Sequence, residues 1–261
     1  MDLGLRGKKA LITGASKGIG RAVAEILAEE GCDVALVSRT AADLEAARTA
    51  IAAKHNVGVR VFALDLSDSR NVDKVAAECP DIDILVNNAG AIPGGNIDAV
   101  TEDRWRTAWD LKVFGYINMT RRFYAQMRER RRGVIVNVLG AAGENPDFNY
   151  IAGSSGNASL MAFTRAMGGT SPRDNIRVVG INPGPVLTER LITLTKTRAR
   201  DVLGDENRWE ELMQGHAFGR VAKPEEIAWM AAFVASDQVS GYTTGSIITI
   251  DGGGSSRRSV M

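Results

Sequence analysis

The sequence predicts an α/β fold in which helices cover both faces of one doubly wound sheet of about seven parallel strands. Seven short apolar runs alternate with helical patterns along the chain. Strands that are solidly apolar are typical of parallel sheets buried on both faces. No Ser- or Pro-rich linker, repeat or low-complexity tract divides the 261 residues. A single domain over residues 1–261 is therefore expected.

The elements follow from local patterns, taken in order. The apolar runs predict strands at residues 8–13, 33–39, 59–65, 82–88, 133–139, 176–184 and 246–252. Helical spacing predicts helices at about 19–30, 41–54, 68–78 and 102–131, a further helix ending near 169, and one that starts at Pro224. Gly31 ends the first helix, since glycine suits the position after a helix C-terminus. Residues 188–220 form a polar segment.

Composition excludes several classes of function. The chain is 44% hydrophobic and 24% charged, with a net charge of +1, so no broad attraction to nucleic acid or to an anionic membrane is expected. Cys32 and Cys79 are too few for a disulfide framework, and His55 and His216 are far apart. No metal site is expected. With no secretory apolar region and no long apolar span, a cytoplasmic location is expected.

The segment TGASKGIG at 13–20 follows the first strand and opens the first helix. This position predicts a dinucleotide site. Gly14 would allow the tight turn, Gly18 the approach of phosphate to the backbone, and Gly20 the close packing of helix on strand. The pyrophosphate would lie at the helix N-terminus. The loop residues Ser16, Lys17 and Ile19 join the expected cofactor contacts.

The end of the second strand distinguishes between the two nicotinamide cofactors. A carboxylate there would bind a ribose 2′-hydroxyl, but this chain has Ser38-Arg39-Thr40. Arginine and a hydroxyl suit a 2′-phosphate, and Lys17 adds a second cation. NADP(H) is expected in preference to NAD(H), which stays open; the alternative is that Arg39 only stacks on the adenine.

Six motifs spread over the whole chain carry a family resemblance. They are TGASKGIG (13–20), Asp65-Leu66, NNAG (87–90), INPGPVLT (181–188), GRVAKPEEIA (219–228) and TTGSIITIDGG (243–253). At these spacings the chain resembles a short-chain dehydrogenase/reductase, a family with a Rossmann-type fold. The resemblance implies contacts of Asp65 and Leu66 with the adenine, of Asn88, Ala89 and Gly90 with the nucleotide, and of Pro183, Gly184, Val186 and Thr188 with the nicotinamide.

The same resemblance implies the remaining properties. The substrate would be a small carbonyl or alcohol, and residues 188–220 would be its lid. The protein would be a homotetramer or homodimer that packs through the two long helices and the C-terminal strand.

The residues that usually carry the family's chemistry are missing. Its asparagine, serine, tyrosine and lysine positions fall on Asp110, Gly140, Gly153 and Asn157. The cofactor motifs are therefore present while the proton-transfer groups are absent. Asn157 retains the ability to hydrogen-bond a ribose hydroxyl.

Three interpretations stay open at this point. In the first, the protein is an oxidoreductase with a displaced proton donor. Tyr150, on one helix face with Gly153 and Asn157, would be that donor. Ser154 would assist it, and the loop residues Glu144, Asn145 and Asp147 are candidate proton partners. The alternative role of Tyr150 is packing at a subunit interface.

In the second interpretation the chain binds the nucleotide without turnover, as a sensor or scaffold subunit. In the third, the glycines make room for a bulky substrate or for a different chemistry that retains the cofactor.

Overall fold

The computed structural model describes residues 1–256 of the chain. Seven strands form one sheet: β1 Lys9–Thr13, β2 Asp33–Ser38, β3 Val59–Ala63, β4 Ile84–Asn87, β5 Gly133–Val138, β6 Ile176–Pro183 and β7 Ile247–Ile250. All neighbours are parallel, in the order β3-β2-β1-β4-β5-β6-β7. The order reverses between β1 and β4, which is where doubly wound sheets bind ligands. The predicted fold class is confirmed.

The helices alternate with the strands. They are α1 Gly18–Glu29, α2 Ala41–Lys54, α3 Ser69–Glu78, α4 Glu102–Trp109, α5 Gly115–Arg130, α6 Ile151–Thr170, α7 Glu189–Leu203, α8 Trp209–Met213, α9 Pro224–Ala235 and α10 Asp237–Ser240. Within residues 1–256 no helix is both long and apolar enough to cross a membrane.

Two apolar cores lie on opposite faces of the sheet. Ala10 and Ile12 of β1 join the core formed with α1 and α9, whereas Leu11 joins the core formed with α3 and α5. Successive side chains of a strand point to opposite faces. A central strand covered by helices on both faces must therefore be apolar at every position, which is the pattern that the sequence displays.

The long helix predicted over 102–131 is not continuous. A π-helical turn, Asp110–Phe114, separates α4 from α5. Such wide turns interrupt α-helices most often at functional sites. Here the consecutive residues Lys112 and Val113 are both buried.

The polar segment 188–220 is more regular than its composition indicates. It contains α7 and α8, and the Thr188 hydroxyl caps α7 by accepting a hydrogen bond from the Leu191 N–H at 3.3 Å. Thr195 and Ala199 of α7 are buried, while Leu194 and Val202 are exposed. This segment therefore covers the fold with little apolar contact, and its role as a substrate lid stays a prediction.

Candidate functional site

A cleft opens at the C-terminal ends of β1, β2 and β4. Its lining includes Gly14, Ser38, Arg39, Leu66, Ala89 and Gly90. All of these residues follow a strand or end one, because the C-terminal ends of parallel strands meet at one edge of the sheet. These six residues, all predicted to contact the cofactor, thus lie together at one cleft.

The glycine turn has the shape that a phosphate cradle requires. Gly14 and Gly18 have φ angles of 67° and 57°, a region that suits glycine. A Cβ on Gly20 would overlap the carbonyl oxygen of Gly14, and one on Gly14 would lie 2.9 Å from the Cα of Ala89. Backbone N–H groups and the start of α1 are therefore open to a pyrophosphate, and this chain fits a dinucleotide there.

The end of β2 carries hydroxyl and guanidinium groups. The Ser16 and Ser38 hydroxyls hydrogen-bond each other at 2.9 Å, and Arg39 is exposed at the cleft. Lys17 lies differently from the expectation that it faces a 2′-phosphate. Its ammonium lies 3.5 Å from Asp43 and 3.4 Å from Glu189, and these carboxylates raise its pKa. Arg39 is therefore the cation of this set that lines the cleft.

The loop after β4 is fixed to the end of β1. The Thr13 hydroxyl accepts hydrogen bonds from the Asn88 and Ala89 N–H groups at 2.9 and 3.0 Å, and the Asn88 amide donates to the Thr13 carbonyl at 3.0 Å. Asn88 therefore holds the end of β1, from which the glycine turn starts, by hydrogen bonds to Thr13. Asp65 accepts hydrogen bonds from the N–H and hydroxyl of Ser67 at 3.0 and 2.8 Å, which shape the loop after β3.

The end of β6 leads towards the other half of the cleft. A Cβ on Gly184 would lie 2.8 Å from the Cβ of Asp251, and one on Gly18 would lie 3.1 Å from the methyl group of Thr188. Val186 is buried and forms a bridge with Ala222. The INPGPVLT motif thus connects the glycine turn to the start of α7.

Tyr150 lies over Gly153. A Cβ on Gly153 would overlap ring atoms Cε1 and Cζ of Tyr150. The half-buried ring packs against an apolar cluster that includes Ile92 and Ala152, so an intrachain contact holds it. Burial raises the pKa of Tyr150, and Arg190 partly opposes this shift. The phenol is therefore protonated at neutral pH.

Asn157 lies beside Gly140. A Cβ on Gly140 would lie 2.9 Å from the Asn157 amide nitrogen. That nitrogen donates to the Gly153 carbonyl at 2.9 Å, and the amide oxygen is buried without a partner among the described residues. Gly153 and Asn157 are adjacent on α6, as their spacing predicts, and Gly140 lies beside Asn157 from the loop after β5.

The other predicted proton groups are bound to the fold. The Ser154 hydroxyl accepts from the Asp147 N–H at 3.0 Å and donates to the Asp147 carbonyl at 3.3 Å. The Glu144 carboxylate accepts from the Asn182 amide and the Thr249 hydroxyl at 3.1 and 2.8 Å. Ser154 therefore anchors the loop before α6, and Glu144 is bonded to the ends of β6 and β7.

Lys112, which is not among the residues predicted from the sequence, is the buried polar group of the π-helical turn. Its ammonium donates to the Tyr116 hydroxyl and to the Val138 carbonyl, both at 2.7 Å. Burial, and then Arg190, lowers the pKa of Lys112 to about 7. Asp110, assigned from the sequence to the asparagine position, is exposed. The sequence feature that could have indicated this buried lysine is the spacing of Lys112 and Tyr116, which lie four residues apart on an apolar helix face.

Comparisons with known proteins agree with this geometry. A family model described as short chain dehydrogenase matches residues 8–199. The NADPH-dependent reductase BacG of Bacillus subtilis (strain 168) is 32% identical over 256 residues, which cover 94% of this chain and 97% of that protein.

Two solved structures extend the comparison. L-sorbose reductase from Gluconobacter frateurii, complexed with NADPH and L-sorbose, has a TM-score of 0.90 and 34% identity, with 97% of this chain and 98% of that chain covered. A 7 alpha-hydroxysteroid dehydrogenase complexed with NADH and 7-oxo glycochenodeoxycholic acid has a TM-score of 0.87 and 29% identity, with 97% and 96% covered.

Proposed function

The chain belongs to the short chain dehydrogenase family, and from this premise we propose that it is an NADP(H)-dependent oxidoreductase of a small carbonyl or alcohol substrate, with Tyr150 as its proton donor. The relatives include NADPH-dependent reductases, which supports the reaction type and the cofactor. The position of the Tyr150 ring over Gly153 is the single observation that carries the proton-transfer assignment.

The cofactor would be held along the cleft by residues of the glycine turn and of the strand ends. Gly14, Gly18 and the start of α1 would bind the pyrophosphate. Ser38 and Arg39 would bind the 2′-phosphate, since a guanidinium pairs well with phosphate oxygens. Bound NADPH would supply the hydride that reduces the carbonyl carbon. A relative with NADH keeps NAD(H) as the alternative, and the titration below distinguishes them.

The chain's own residues would supply the proton. On the family resemblance, Gly140, Gly153 and Asn157 replace a serine, a tyrosine and a lysine. Tyr150 occupies the space that a side chain at position 153 would fill. Its raised pKa keeps a proton on the phenol, and a positioned acid typically contributes about 10²–10⁴-fold to rate. Arg190, whose guanidinium donates to the Ile92 carbonyl, would connect the lid to the loop that holds this ring.

The test combines turnover with cofactor binding. NADPH oxidation is measured with L-sorbose, an acetoacetyl thioester and a 7-oxo steroid, and NADPH and NADH are titrated separately. We expect Tyr150→Phe to lower kcat by about 100-fold or more and to leave NADPH affinity unchanged. Gly153→Ala should also lower kcat and leave NADPH affinity unchanged, because the added methyl group would displace the Tyr150 ring. Tyr124→Phe is the matched control, since that hydroxyl bonds Asp174.

An unchanged kcat in Tyr150→Phe would remove Tyr150 from the mechanism. Equal affinity for NADPH and NADH would contradict the assigned role of Arg39 and Ser38.

A second candidate function is nucleotide binding without turnover. The observation in its favour is that Ser154 and Asn157 both hydrogen-bond the backbone of their own segment, which leaves few groups for chemistry. Tight NADPH binding with no turnover on the whole substrate panel would favour this candidate over the enzyme.

A further inference from the structure

Lys112 is a buried cation with neutral hydrogen-bond partners. Its side chain is 7% exposed. The ammonium contacts the Tyr116 hydroxyl, the Val138 carbonyl and, 4.4 Å from its centre, the Tyr116 ring. Within the part of the chain that the structure describes, no carboxylate forms an ion pair with it. A buried charge normally requires a charged partner, so this positive charge is left uncompensated.

The Lys112 ammonium lies at the C-terminal end of β5. Val138, the acceptor of the ammonium, is the last residue of β5. The aliphatic part of Lys112 lies against the cleft wall, since a Cβ on Gly90 would be 2.7 Å from its Cδ. A dinucleotide crosses the sheet at the strand reversal. With its adenosine end at Ser38 and Arg39 on β2, its other end must extend over β4, β5 and β6.

The groups that face Lys112 add no negative charge at neutral pH. From α7, Arg190 is positive and lowers the pKa of Lys112. Tyr150 at the start of α6 and Tyr116 in α5 have raised pKa values and are neutral. Asp110, on the same π-helical turn, is exposed to solvent, where its charge is screened.

We propose that Lys112 makes the site select the reduced cofactor, because its ammonium repels the positive charge that only the oxidised nicotinamide ring carries. The proposal rests on the proposed function and adds to it a preference for one redox form of the cofactor. Charges in a low-dielectric site interact far more strongly than in water. At equal concentrations the site would therefore bind NADPH in preference to NADP⁺.

The selection depends on pH in a defined direction. Below pH 7 the amine is protonated and repels the oxidised ring. Above pH 7 it loses its proton, in line with its lowered pKa, and NADP⁺ binding should strengthen. The 2′-phosphate titrates near pH 6 but is common to both forms of the cofactor. The contribution of the 2′-phosphate therefore cancels in the ratio of the dissociation constants of NADP⁺ and NADPH.

The test is binding alone, without substrate. Calorimetric titration gives the Kd of NADP⁺ and of NADPH for the full-length protein at pH 6, 7, 8 and 9. We expect NADP⁺ to bind at least about tenfold more weakly than NADPH at pH 6, and the ratio to fall several-fold by pH 9. In Lys112→Met the ratio should be small and constant. Lys74→Met removes an exposed charge from α3 and should behave as the wild type.

The outcomes separate the two proposals. A wild-type ratio that is independent of pH, or one that equals the ratio of Lys112→Met at pH 6, would overturn the role of Lys112 while leaving NADP(H) binding intact. Absence of binding of both cofactor forms would overturn the proposed function and this inference with it. The pH series on the wild type is decisive even if the variant does not fold.

Discussion

At the residue scale, Lys112 illustrates what sequence patterns cannot reveal. A lysine in an amphipathic helix normally extends its ammonium to water, so the sequence pattern does not predict that Lys112 is buried. The π-helical turn reverses their roles, because Lys112 is turned inward while Asp110 stays exposed. The distinction depends on one local change in helical winding, which periodicity does not encode.

The pH dependence of the free energy of unfolding should reflect the burial of Lys112. The pKa of Lys112 falls from 10.5 to about 7 on folding. Below pH 7 folded and unfolded chains are both protonated, and the folded chain bears the whole burial penalty. Between pH 7 and 10.5 only the unfolded chain holds the proton, so the contribution of this group to the free energy of unfolding rises with pH.

Lys112→Met should remove that penalty. At pH 6 we expect it to raise the free energy of unfolding by a few kcal/mol, since one pKa unit corresponds to about 1.4 kcal/mol, and the gain should shrink towards pH 10. Urea unfolding followed by circular dichroism at pH 6, 8 and 10 measures this. Lys74→Met should have little effect, and a Lys112→Met protein less stable than wild type at pH 6 would contradict the prediction.

The conformation of the glycines in the first turn could be predicted from the sequence, whereas the position of Tyr150 could be predicted only in part. Gly14 and Gly18 adopt the positive φ angles that their motif requires, because a short motif specifies a backbone conformation. That Tyr150 shares a helix face with Gly153 followed from spacing. The overlap of its ring with the place of a side chain at 153 depends on packing against Ile92 and Ala152, which lies beyond local sequence.

At the element scale, the loop between β5 and α6 is held by the first turn of α6. The Ser154 hydroxyl forms two hydrogen bonds to the Asp147 backbone, and the Tyr150 carbonyl accepts from the Ser154 N–H at 2.8 Å. These bonds give Ser154 a role in shaping this loop, and its predicted assisting role in proton transfer stays a prediction.

Ser154→Ala distinguishes these roles. Loss of the two hydrogen bonds should destabilise the protein by about 1–2 kcal/mol and raise KM by loosening the loop, while kcat falls far less than in Tyr150→Phe. Steady-state kinetics and thermal unfolding measure both effects, and Ser155→Ala, an exposed neighbour, is the control. A fall in kcat as large as that of Tyr150→Phe would return Ser154 to the proton path.

Strands were predicted more reliably than the longest helix. Each buried strand, such as β5, is a run of apolar residues between turns, so its pattern is local and strong. The region 102–131 has a helical pattern throughout, and the break at Asp110–Phe114 changes the winding although Gly115, which directly follows it, starts the next helix. The helices within 188–220 are polar and largely exposed, so their pattern was weak.

At the scale of the whole molecule, aromatic side chains are exposed on and beyond α9. Trp229 and Phe233, four residues apart on α9, are 58% and 36% exposed, and Tyr242 beyond α10 is fully exposed. Isolated exposed apolar residues are ordinary, but a grouped set is typical of an interface. This agrees with the predicted homotetramer or homodimer, which stays a prediction, although α9 was not among its expected contacts.

Replacement of both aromatic residues should disrupt this association. Light scattering on wild-type protein should give the mass of a dimer or tetramer, and the Trp229→Glu/Phe233→Glu double variant should give a smaller one, because charges at an apolar interface cannot be desolvated cheaply. Asp103→Lys on the exposed start of α4 serves as a charge-change control. A monomeric wild type, or an unchanged mass in the double variant, would contradict the prediction.

The overlap between Tyr150 and position 153 also constrains how this sequence can evolve. Because the ring fills the space that any side chain at 153 would need, the two positions are epistatic. A Gly153→Tyr change is blocked for as long as Tyr150 keeps its place, and loss of Tyr150 alone leaves a gap. Moving the tyrosine from 150 to 153 by single substitutions would require an intermediate protein. That intermediate would have either no tyrosine ring at this place or two rings competing for it. The present arrangement is therefore hard to reverse in single steps.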